Sequence, residues 1–424
     1  MKRSYFIVAL IMLIFFVISF LTNIIGPLIP DIITGFSLSL TLVALLPFAF
    51  FIAYGVMSIP SGMLVEKYRE KKMVVVAFII AFGGSLMLAV FPNYLSAVLS
   101  LFLIGCGMAM LQVVINPLLR TAGGEENYAF YSILAQLIFG FASFISPLVY
   151  SHIVLGLKNG KQSAFYTVLA THVPEQLPWI SMYWLFTVIC LLMILLILFS
   201  KFPKVELKTD EKAGALKIHI ELFKKRTVVL FFIAMLCYVG TEQGIANWIS
   251  QFMLTYHGYD PQKTGADTVA YFWGMMTAGG ILGLFLVKLM DSRNVLILFT
   301  SLAIACLTAA LFGPPGVALI AFPLVGFFAS VMYPIIFSLA LNSLDEHHGS
   351  FSGILVTGIV GGAIIPLIIG WLGDHLGLKT GMCFLYLTLG FILSIGFWAK
   401  PIIKNKTIKL LKRKTDKNES QIPA

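Results

Sequence analysis

Charge is scarce in this chain: Asp, Glu, Lys and Arg make up 11% of its 424 residues, against about a quarter in soluble domains. A soluble core has no use for a composition that is 59% hydrophobic. Alternating strands of about ten residues are absent too, which excludes a membrane β-barrel. No GxxxxGK[ST] phosphate loop occurs, so direct drive by ATP is disfavoured. The five cysteines (Cys106, Cys190, Cys237, Cys306 and Cys383) all sit in apolar runs with no CxxC. Neither a disulfide framework nor a metal site is indicated.

What is present is a succession of apolar runs, each long enough to cross about 30 Å of hydrocarbon. Six fall at 5–30, 39–65, 73–92, 94–118, 129–154 and 180–200. Six more fall at 227–255, 265–290, 294–313, 315–342, 351–373 and 380–400. The first dozen residues look like a signal peptide, but the apolar stretch continues and no small-residue cleavage site closes it, so a retained first helix is expected. The pattern predicts an all-α integral membrane protein: a first bundle over 1–200, a linker over 201–226, a second bundle over 227–403 and a basic tail over 404–424.

The net charge of +10 does not point to nucleic acid, because of where it lies. With the N-terminus cytoplasmic, all but Lys158, Lys161, Lys263 and Lys379 of the 29 basic residues fall on the cytoplasmic side. That asymmetry is the positive-inside rule, and it places both termini in the cytoplasm. The basic linker and tail then act as topological anchors beside anionic lipid. A multi-pass protein of a bacterial-type plasma (inner) membrane is expected.

Six spans, a polar linker and six more spans form a parallel-repeat pattern, and such transporters bind substrate near the midplane between the halves. Internal echoes support a duplication. SGMLVEKYREKK (61–72) pairs with LGLFLVKLMDSR (282–293), and VVINPLL (113–119) with SVMYPIIF (330–337). The glycine pairs at 279–280 and 361–362 suit close helix approach.

The segment GMLVEKYREKK resembles, in degraded form, the loop motif of the major facilitator superfamily. Gly62, Glu66, Lys67 and Arg69 would form its gating loop. MYPIIFSLALNSLDEHHGSFSGILVTGIVGGAIIP, with LQVVINP, LAQ, the LIP of GPLIPD and YVGTE-x5-W, resembles the fucose/galactose/glucose symporter branch of that superfamily. The resemblance implies two six-helix bundles rocking between inward- and outward-open states, a monomer by family default, no covalent chemistry and no cofactor. It implies import of a neutral monosaccharide coupled to H+ or Na+. Efflux of drugs or metabolites, an uncoupled sugar facilitator and a non-transporting sensor are the competing readings.

A sugar needs hydrogen-bonding groups and an apolar face in one mid-membrane cavity. Gln112 and Asn116, four apart, share a face of span four. Gln136 on span five, Asn23 on span one, Gln243, Asn247 and Trp248 on span seven and Trp273 on span eight complete the candidate set. Each has a plainer role available, among them Asn116 satisfying backbone groups freed at Pro117, Gln136 as interhelical glue and Trp248 as an interfacial belt residue; Asn23 is open to a structural role too. The solvent-side LDEHHGS (344–350) reads as a turn rather than a metal site.

The branch's fucose permease carries an acid in span one and another in span four. Gly26 and Gln112 stand at those positions here, and Phe139 replaces the Asn that follows LAQ. Glu242 is instead the acidic residue well inside the hydrocarbon, and a carboxylate there costs at least about 2.5–3.5 kcal/mol on insertion scales. An offset of 217 between the halves sets it against Ile25, beside Gly26. Glu242 is therefore the expected coupling residue. Proton binding is chemically easy for a desolvated carboxyl, and sodium would need further oxygens from Gln243, Asn247 or backbone carbonyls.

Overall fold

The computed structural model describes residues 5–124, 127–161, 163–200, 202, 216–344 and 348–402. Most of the linker, residues 345–347 of the LDEHHGS turn and the basic tail lie outside the described residues. Twelve helices are long and apolar enough to cross a membrane. The first six are Tyr5–Phe36, Leu40–Ser58, Glu70–Val90, Tyr94–Gly123, Phe130–Lys158 and Pro178–Phe199. The other six are Arg226–His257, Pro261–Leu289, Ser292–Phe312, Pro315–Leu341, Ser350–Leu376 and Leu378–Trp398. They are called spans one to twelve below.

Prolines set the internal breaks. Span one is two helices, Tyr5–Thr22 and Ile25–Phe36, with a turn at Asn23. Pro27 has no N–H and its ring crowds the carbonyl four residues back, which is that of Asn23. Span ten breaks between Ala329 and Met332, four residues before Pro334, for the same reason. Span one also runs on past the expected residue 30, so Asp31 lies inside a helix rather than at its end.

Two expectations about 61–72 change. The helix of span two continues to Tyr68 and the next begins at Glu70, so Gly62, Glu66 and Lys67 are helical. The only linking residue is Arg69, whose φ of +68° makes the bend. The motif is a hinge between two helices, not a loop.

Spans two and three pack along span four, span three also along span six, and span one along span five. In the second half, spans eight and nine pack along ten, and span seven along eleven and twelve. Lipid supplies no hydrophobic drive between helices, so close approach depends on small residues. Gly279 lies against the Phe327 carbonyl and Gly361 against that of Leu236, as the glycine pairs suggested.

The halves meet through spans two and eleven, five and eight, and one and seven. These contacts run from the ends remote from the linker to mid-depth. Gln262 Nε2 donates to Asp31 Oδ1 (2.8 Å), and Tyr150 donates to Asp31 Oδ2 (2.5 Å). Asp374 accepts the backbone N–H groups of Leu40 and Thr41 (both 2.8 Å) and the Thr41 hydroxyl. A carboxylate from span eleven thus caps the N-terminus of span two, where unpaired N–H groups favour an anion. Gly370, one turn earlier, lets the Leu40 carbonyl approach. On the linker side the contacts between the halves thin out among the described residues: Val56, Met63, Asn116 and Gln136 are exposed, and a Cβ at Gly62 would meet nothing within 4 Å. The molecule is closed at the end bearing Asp31 and Asp374 and open at the end bearing the linker.

Asp374→Asn should loosen this closure. The site is solvent-exposed, so the loss is about 1 kcal/mol, about a fivefold shift toward the state open at that end. Spin labels at positions 175 and 316, one on each half, should show the longer distance more populated. An unchanged distribution would remove the cap from the gate.

Candidate substrate and coupling site

Glu242 stands at the midpoint of the 32-residue helix Arg226–His257. Tyr238, one turn earlier, donates its hydroxyl to Glu242 Oε2 (2.6 Å), and Gln243 Nε2 donates to Oε1 (3.1 Å). Both carboxylate oxygens are held while the residue stays half-buried. The Tyr238 ring lies 5.7 Å from that of Tyr333 on span ten, which stacks on Phe337 at 5.9 Å. Tyr238 was legible in the sequence, since residues four apart on a helix are neighbours. Tyr333 was not, because only packing sets it beside span seven.

Gly26 rests directly on the carbonyl of Ala246, one turn beyond Glu242. Spans one and seven are thus in backbone contact where the sequence offset sets Glu242 beside Gly26. Gln243 is buried, its side chain close to Gly362 of span eleven, and Phe51 of span two meets the same glycine.

The amides of spans four and five differ from these. Gln112 is half-buried and Asn116 exposed, with Arg120 a further turn along the same face. Asn116 Nδ2 donates to the Gln112 carbonyl (3.2 Å), within its own helix. Gln136 is exposed two turns from Ser143, which meets span one, and one turn from Gly140, which meets Thr277 of span eight. It therefore faces the space between the halves. A stripe of polar side chains on membrane helices lines water rather than lipid.

Other candidates are closed off in this state. Asn23 is buried and donates to Ser143 Oγ (2.8 Å), beside a Ser19–Ser143 hydroxyl pair (2.6 Å), joining spans one and five. Trp248 is fully buried and donates to the Pro366 carbonyl (3.2 Å), so it lies in no interfacial belt. Asn247 and Trp273 are buried, and their Nδ2 and Nε1 atoms have no hydrogen-bond partner among the described residues. In the hinge, Lys67 lies over the Tyr68 ring at 5.2 Å; the Glu66 side chain is outside the described residues.

The sequence pattern of the Major Facilitator Superfamily matches residues 11–366. The chain belongs to that superfamily. It is a membrane transporter with twelve spanning helices and, like its family, not an enzyme. A glucose/galactose transporter of Brucella abortus is 30% identical over 91% of this chain and 93% of its own length. The crystal structure of the E. coli fucose:proton symporter is similar with a TM-score of 0.65 and 25% identity, covering 94% of this chain and 100% of that one. An inward-facing bacterial homologue of the human lysosomal transporter Spinster matches with a TM-score of 0.77 over 94% of this chain and 98% of that one, at 16% identity. The last shares the fold.

Proposed function

We propose that this superfamily transporter imports a neutral hexose by proton symport, with Glu242 as the coupling carboxylate. The observation that carries the reading is Glu242 itself, half-buried at mid-span with both oxygens hydrogen-bonded. Among the described residues it is the carboxylate at mid-depth. A group so placed can gain and lose a proton as the vestibule opens to either side. Relatives that move glucose, galactose or fucose support the substrate class, and the fucose symporter's proton supports the ion over sodium.

With the positive-inside orientation, the linker side is cytoplasmic and the observed state is inward-open. Gln112, Asn116 and Gln136 then offer amides to sugar hydroxyls in the open vestibule. Asn247 and Trp273, whose N–H groups are unpaired among the described residues, are donors for the state in which the halves rock the other way. The test is uptake of a monosaccharide panel into proteoliposomes under imposed proton and sodium gradients. Accumulation of a hexose under the proton gradient alone supports the reading, and accumulation under sodium alone overturns the ion.

Two amides should separate in such an assay. Gln136→Ala is expected to raise KM about fivefold, the worth of one hydrogen bond of about 1 kcal/mol. Asn23→Ala should leave KM unchanged and lower thermal stability, since an interhelical bond of this kind contributes about 0.6 kcal/mol. The reverse pattern would make Asn23 the sugar ligand.

A further inference from the structure

At the linker-side end of the second half, spans seven, ten and twelve leave a cavity of about 510 Å³ between them. Its walls carry two cations from opposite ends of the half, Arg226 at the start of span seven and Lys400 just after span twelve. Both are exposed, and among the described residues neither meets a carboxylate. The Val228 and Val229 N–H groups bond to the Lys225 carbonyl, while Lys225 supplies no side-chain acceptor for the first turn. The unpaired N–H groups of that turn add to the positive field.

The rest of the cavity is apolar and aromatic, formed by Leu230, Phe231, Phe391 and Trp398. The Phe231 and Trp398 rings lie 5.1 Å apart, and Trp398 is pinned by its bond to Ser394 Oγ (3.0 Å). Ser343 and Ser394 spend their own protons on backbone carbonyls, both at 2.6 Å. Among the described residues the free donors are thus the guanidinium, the ammonium and the Thr227 hydroxyl. Two cations above an aromatic floor, at the level where helices leave the bilayer, suit an anion that carries hydrocarbon.

We propose that this pocket binds the phosphodiester headgroup of an anionic phospholipid, the phosphate between Arg226 and Lys400 and the glycerol and upper acyl chain on Phe391 and Trp398. The site is separate from the transport path and does not depend on the sugar reading. Free phosphate shares the charge but has nothing to lay on the aromatic floor.

The test is native mass spectrometry of the full-length protein released from mixed micelles of dioleoylphosphatidylglycerol and dioleoylphosphatidylcholine. Wild type should retain one phosphatidylglycerol in preference to phosphatidylcholine. Arg226→Gln/Lys400→Gln should bind it about thirtyfold more weakly, from about 1 kcal/mol per basic residue near a membrane surface. Lys72→Gln/Lys288→Gln removes two exposed cations on the same side but outside the pocket, and should retain the lipid as wild type does. Equal loss in both double variants, or no loss in the first, overturns the site. Displacement of the lipid by millimolar inorganic phosphate overturns the lipid in favour of the free anion.

Discussion

Glu242→Gln is expected to abolish accumulation while sparing exchange. With one proton per sugar and a membrane potential of about 100 mV, worth about 2.3 kcal/mol per charge, wild type should concentrate its substrate about fiftyfold. The variant should stop at equal concentrations inside and out. Glutamine keeps the size of the protonated acid and can still accept from Tyr238, losing only the bond from Gln243. Counterflow of labelled sugar should therefore persist, which separates uncoupling from misfolding. A variant that accumulates sugar as wild type does would make Glu242 a structural residue and leave the coupling group unassigned.

The second large effect is at Gly26. The fucose permease's acid would stand here, so Gly26→Asp is the obvious attempt to restore it. The structure leaves no room: a Cβ would run into the Ala246 carbonyl and lie 3.2 Å from Asn247 Cα. Backbone cannot yield as a flexible side chain does, and overpacking of this kind costs about 1–3 kcal/mol. About 2 kcal/mol would shift the equilibrium about thirtyfold away from the state closed at the Asp31 end. The label pair at 175 and 316 should report mostly the long distance, and Glu242→Gln/Gly26→Asp should remain uncoupled. Recovery of accumulation in that double variant would show that a carboxylate at either depth can couple, and that the packing of span one on span seven is dispensable.

These predictions rest on very different depths of reading. Membrane spans are legible because bilayer thickness imposes a length of apolar run, and the expected orientation rests on basic residues concentrated on one side. The breaks at Asn23 and before Met332 follow from Pro27 and Pro334, once the helices are known to continue across them. Arg69 was harder: a basic, polar stretch reads as a loop, whereas one residue with positive φ joins two unbroken helices. Asp31 and Asp374 fall one residue past the expected spans 5–30 and 351–373, where an acid is unremarkable. Their partners, Gln262 and the start of span two, are hundreds of positions away and could not be paired by spacing.

Twelve spans, the superfamily and Glu242 as an acid at mid-span were legible in the sequence by itself. Which polar residues open on the vestibule was decided only by the tertiary structure. Helical periodicity sets the angle between Gln243, Asn247 and Trp248, but not the rotation of span seven about its own axis. In a soluble helix an apolar stripe would fix that rotation. In lipid nearly every face is apolar, so the rotation comes from contacts such as Gly26 on Ala246 and Trp248 on Pro366. Those contacts bury Trp248 and Asn247, leave Glu242 half-exposed beside Tyr333, and so select the residues a substrate can reach.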